Sequence, residues 1–328
     1  MRPDLVLAEG SFSMTRRALF LVAIVVVLLV MGSRRSGAVV GQSSTPQVTV
    51  VFEDAAINPE NRDAANLIKD SGAFQRVADW TNMVVSLSYP IEIKVTDNLP
   101  PPIDDPSTWP DGRTIYYPAD FLTMSRGVLT SSVADLNSQG RRPSIIPAEK
   151  FNADDLTVWS NEFILGHEMG HALMHQLLLP ITGLEEDSAD GFAVFSTING
   201  QEGIGPAVAA AILFDEVARQ QGALKFEEFA SDHPTTVQRI FNFICFVAGS
   251  DESRLQNSLI TQGYIPAFRS VLCPMEWAQL NNGWWVVLRP YLTAGFSAQA
   301  AALRDQARQN LDAEYKRLPD LLQQARGG

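Results

Sequence analysis

The chain has 328 residues, 46% of them hydrophobic, which suffices for a sizeable core in one or two domains and excludes a disordered protein. Its 37 acidic against 25 basic residues give a net charge of -12, a field that repels polyanions and leaves no basic footprint, so nucleic acid is excluded as a partner.

At the N-terminus, Arg16 and Arg17 precede an uncharged apolar run from Ala18 to Gly32, followed by the small residues Ser36-Gly37-Ala38. This pattern predicts an export signal over residues 1–38. Asp4 and Glu9 are out of place in a basic leader, so Met14 is the expected start of translation. Arg34 and Arg35 beyond the run leave an uncleaved anchor as the alternative, but the core falls short of the roughly 20 apolar residues a span needs. Cleavage and release to the periplasm or the exterior is therefore expected, with a membrane partner only if the segment is retained. In an exported chain the economical state of the only two cysteines, Cys245 and Cys273, is one disulfide, two buried thiols being the alternative.

Residues 39–46 read as a short linker. Val48 to Phe52 is β-branched and predicts a strand. From about Asp63 to Val84, apolar residues at Ala65, Ile68, Phe74, Val77, Trp80 and Val84 predict a helical stretch. Ile91 to Val95 alternates and predicts a second strand. Thr114 to Tyr117, between Asp111-Gly112 and Pro118, predicts a third, whose prolines suit a sheet edge. Helical periodicity or caps then mark 119–136, 155–178, 184–199, 205–221, 234–248 and 252–262. Strands first and helices afterwards predict an α+β fold, with a small N-terminal mixed sheet, an edge strand and a mainly helical C-terminal half. Residues 291–328 form a C-terminal amphipathic extension with a stripe of Leu303, Ala307, Leu311, Tyr315, Leu318 and Leu322, which Pro319 should break in two.

The segment FILGHEMGHALMHQLLLP, residues 163–180, carries H-E-x-x-H. On a helix, four residues turn about 400°, so His167 and His171 project from nearly one side, about 6 Å apart along the axis, and can chelate one ion. Glu168 lies about 100° round from His167, too far to join them but placed to reach water beside them as a general base. A catalytic zinc needs a third protein ligand and an open position. GLEEDSADGFA, residues 183–193, offers Glu186 as that ligand. Asp190, one turn on, is the expected carboxylate acceptor for the N–H of a ligating histidine. Glu185 and Asp187 are weaker alternatives to Glu186, because each faces another side. His175, about 12 Å from His167 along the helix, is expected to be a surface or supporting residue.

In SDHPTTVQRIFNFIC, residues 231–245, Pro234 suits the first turn of a helix, with Asp232 or His233 as its cap. His233 is also a candidate donor to the oxyanion of a tetrahedral intermediate. Arg239 can pair with Glu168, Asp190 or a substrate carboxylate, an ordinary surface salt bridge being the alternative.

GHEMGHAL, LPITGLEEDSADGFA, DHPTTVQRIFNFICFV, and Cys273 with PMEWAQ and Trp284-Trp285 together resemble a bacterial family of inferred metallopeptidases known as a domain of unknown function. The resemblance spans roughly residues 46 to 290. It implies a zincin-like domain over 47–290 of the gluzincin type, an exported location, the ligands His167, His171 and Glu186, Glu168 as catalytic residue, and a Cys245–Cys273 link. It supplies no substrate. The expected function is a zinc-dependent hydrolase, a peptidase using one Zn2+ ion on a peptide or protein substrate. The alternative is a zinc-containing binding or scaffold protein with the same fold and no catalysis.

Overall fold

The computed structural model describes residues 47–200, 202–222, 234–251 and 255–327. The export segment, the linker and His233 lie outside them. The described residues belong to one compact unit.

Strand β1 (Val48–Phe52) leads through two helices, α1 (Arg62–Ser71) and α2 (Ala73–Val84), to β2 (Ile91–Thr96). The single helical stretch expected over 63–84 is thus two, because Gly72 takes φ +68, a left-handed conformation that ends one helix and opens the next. A two-residue strand, β3 (Ser107–Thr108), then precedes β4 (Thr114–Pro118). The sheet order is β1-β2-β4-β3, with β1, β2 and β4 parallel and β3 antiparallel to β4. Here the expectation of β4 as the edge is corrected. Ser107 pairs with Tyr116 and Thr108 with Ile115, so β3 takes the edge.

Helix α3 (Ala119–Ser138) follows β4 directly, packs on α1 and leads to α4 (Ala153–Leu177). Asn152 caps α4 by accepting the Asp155 N–H at 2.9 Å. Packed against α2 and α3 and against two following helices, α5 (Glu185–Asn199) and α6 (Gly205–Gln221), α4 is buried along most of its length. Its hydrophobic residues accordingly run all round the helix rather than along one stripe. The turn before β4 is pressed onto α4, where a Cβ on Gly112 would lie 2.7 Å from the Ala172 carbonyl oxygen, and Gln176 donates to the Gly112 carbonyl. This close approach fixes β3 and β4 against the middle of α4.

Helix α7 (Thr236–Ser250) starts later than expected. Thr235 is its N-cap, so Pro234 precedes the cap instead of entering the first turn. Of the stretch expected over 252–262, residues 252–254 lie outside the described ones and α8 (Asn257–Thr261) is helical, and a short α9 (Ala267–Ser270) follows. Helix α10 (Cys273–Leu288), which is not among the expected helices, starts with Pro274 in its first turn. Its Trp284 and Trp285 pack against Phe192 and Phe195 of α5, with ring centroids 4.9 Å apart in each pair. Cys245 of α7 and Cys273 of α10 form a disulfide. The last helix, α11 (Ser297–Gly327), runs on through Pro319. Pro319 is exposed there, so the carbonyl that loses its N–H partner is left to water and the helix is not divided. Ala300 and Ala307 are buried and Tyr315 accepts from Gln279 of α10, which anchors α11 to the rest.

Candidate metal centre

His167, Glu168 and His171 sit in the middle of α4 and are 5%, 6% and 9% exposed. The two imidazoles, one turn apart, have ring centroids 4.8 Å apart, and their Nε2 atoms come within 3.1 Å. Glu186, in the first turn of α5, brings Oε2 to 3.2 Å from His167 Nε2 and Oε1 to 3.4 Å from His171 Nε2. The structure therefore brings together the three residues the sequence singled out. Three acidic residues, Glu185, Glu186 and Asp187, fill that first turn, where the partial positive charge of a helix N-terminus favours them.

The far nitrogen of each ring also faces a carboxylate. His167 Nδ1 is 2.8 Å from Asp190 Oδ1. Asp190 is held in turn by Arg239, whose Nε and Nη2 donate to its two oxygens at 2.8 and 2.7 Å. Arg239 thus meets Asp190 rather than Glu168, and its guanidinium lies over the Phe214 ring, 4.6 Å from the centroid, inside the structure and not on its surface. His171 Nδ1 is 2.7 Å from Glu185 Oε1, the same oxygen that lies 2.6 Å from His175 Nε2. Sequence reasoning gave Glu185 no such place, since helical facing directions do not govern a residue at the start of a helix, where the side chain can swing back toward α4.

Glu168 points toward the edge of the sheet. Thr108 Oγ1 in β3 lies 2.9 Å from its Oε2 and 2.7 Å from its backbone carbonyl, while its Oε1 is 4.0 Å from His167 Nε2. Thr108 carried no signal in the sequence, because a two-residue strand in a loop rich in proline and aspartate shows no periodicity. These groups face a cleft of about 440 Å³ that Pro106, Ser107 and Leu184 also line.

The electrostatics follow from burial opposed by partners. Burial raises the Glu168 carboxyl above its ordinary range, against the pull of both histidines and Thr108. Burial would lower His167, but its bonds to Asp190 and Glu186 outweigh that and push it up to about 9. Burial would likewise raise Asp190, and His167 and Arg239 hold it below its usual value instead.

Residues 54–288 match the model of a family described as "Putative metallopeptidase". The chain belongs to that family. No curated protein and no solved structure matches it. Membership implies a metal ion, and the donor set of this member suits one. A carboxylate at each Nδ1 favours the tautomer of the neutral ring that carries its proton there, and in that form each Nε2 lone pair faces the other ring and the Glu186 oxygens. Such a convergence of electron pairs is repulsive until a positive charge enters it, and the raised His167 expresses the same demand with a proton. Ligand atoms of His167, His171 and Glu186 all lie within 4.8 Å of one another.

Proposed function

We propose that this family member is an exported, zinc-dependent peptidase of the gluzincin type, with His167, His171 and Glu186 as ligands of one Zn2+ and Glu168 as general base. The observation that carries the reading is the convergence of two Nε2 atoms and one carboxylate beside a second, buried carboxylate in an open cleft. Two imidazoles and one carboxylate are a catalytic rather than a closed structural donor set. When bound there, zinc supplies Lewis acidity toward a carbonyl and toward water.

The protein's own groups do the rest. Glu168, kept proton-hungry by burial and steadied by Thr108, takes a proton from the attacking water and returns it to the departing amine. Asp190 with Arg239 holds His167 in the tautomer that turns Nε2 inward. The outer side of β3 offers an extended peptide an edge beside Glu168 for strand addition. His233 is assigned to the oxyanion on its sequence context alone. The Cys245–Cys273 disulfide supports an oxidising compartment, and none of the described helices is long and apolar enough to cross a membrane.

The test is a digest of a mixed peptide library with matched metal analysis. Glu168→Gln should keep its zinc and lose turnover by about 10²–10⁴-fold, whereas His171→Ala should lose the ion on dialysis. Equal turnover by Glu168→Gln and wild type rejects the base. A wild type that holds zinc but cleaves nothing, with or without chelator, supports the scaffold reading instead.

A further inference from the structure

The two rings at the centre are propped differently. His167 leans on Asp190, whose side chain is 7% exposed and which is itself gripped by Arg239. His171 leans on Glu185, whose side chain is 37% exposed and whose second contact is His175. One carboxylate oxygen, Glu185 Oε1, stands 2.7 Å from His171 Nδ1 and 2.6 Å from His175 Nε2.

We infer that Glu185 is a positioning residue for metal capture, setting the tautomer and orientation of His171, and that His175 in turn holds Glu185. An ionised carboxylate only accepts hydrogen bonds, so the proton of His171 must sit on Nδ1 and that of His175 on Nε2. With Nδ1 so occupied, the Nε2 lone pair of His171 is committed to the centre. Without Glu185, neither the tautomer nor the rotation of that ring is fixed from this side. Glu185 is also the immediate chain neighbour of Glu186 at the start of α5. One short segment therefore supplies a ligand and the prop of another ligand.

The same atoms of His171, His175 and Glu185 lie close enough to hold a second cation. Such an ion would require Nδ1 of His171 to lose its proton while Nε2 serves the first site. Contacts of 2.6 and 2.7 Å match charge-assisted hydrogen bonds instead. The inference rests on the proposed metal site, and the experiment separates the failure of one from the failure of the other.

Zinc dissociation constants, from competition with a chromophoric chelator, are compared for wild type, Glu185→Ala, Glu185→Gln and His175→Ala, together with visible spectra of the cobalt forms and melting of the metal-free proteins. Glu185→Ala should weaken zinc binding about 10–100-fold and alter the cobalt spectrum. Glu185→Gln, which keeps an acceptor oxygen at the same reach, should recover part of the loss. His175→Ala should produce a smaller loss of the same kind, with metal-free melting temperatures unchanged throughout. A Glu185→Ala constant within twofold of wild type overturns the inference, as does a second bound ion per chain that His175→Ala abolishes. A wild type that binds no zinc overturns the proposed function as well.

Discussion

Glu168 is a buried acid with one hydroxyl against its carboxylate, and that pairing makes Thr108 the most informative neighbour to change. Thr108→Val keeps the shape and removes the donor. A lost hydrogen bond to a charged group costs about 1.5 kcal/mol, or roughly tenfold, so kcat should fall by about that factor while the zinc dissociation constant stays put. The bond pulls Glu168 down against burial, so its loss should move the acidic limb of the kcat–pH profile to higher pH. An unchanged limb would detach Thr108 from the base. At this scale the sequence spoke where spacing is rigid: His167, Glu168 and His171 lie on one helix, and Glu186 and Asp190 share a face of the next. It was silent on Thr108 and on the contacts of Glu185 with His171 and His175, because contacts between a loop strand and a helix, or at a helix start, obey no period.

Between elements, the approach of α5 to α4 decides whether Glu186 can reach the imidazoles. Gly166 and Gly170 of α4 face Ala193 and Ala189 of α5, and a Cβ on Gly170 would meet Ala189 Cα and Phe192 Cβ at 3.1 Å. Gly170→Val should therefore force the helices apart, costing about 1–3 kcal/mol of stability, and lose zinc although no ligand has changed. Denaturant melts with metal analysis check this, and full zinc occupancy would show that the seam yields without moving Glu186. Most helices and strands were legible from periodicity and caps. Those that were not have local causes. Gly72 divides a helix through its left-handed backbone, and β3 is too short to alternate. Helix α10 does carry a buried stripe of Trp277, Trp284, Trp285 and Leu288, but exposed Val286 on the opposite face blurs it.

In the whole molecule, strands first and helices afterwards gave the α+β class, and what the order could not give was the stacking of the helices on α4. Metal removal should register globally, because a ligand bound only by the folded chain stabilises it by about 4 kcal/mol at a thousand times its dissociation constant. A chelator should thus lower the melting temperature of wild type and leave His171→Ala unmoved, as read by calorimetry; equal shifts would place the effect elsewhere. The distances along the chain carry one more consequence. The contacts of His171 with Glu185 and of His167 with Asp190 close loops of 14 and 23 positions, whereas Thr108 reaches Glu168 across 60. The longer closure costs about 1 kcal/mol more in entropy. The residues proposed to hold zinc thus lie within the short closures and Thr108 at the end of the long one, so stoichiometric zinc in a preparation would report on the pairing of α4 with α5 and leave enzymatic competence to be assayed separately.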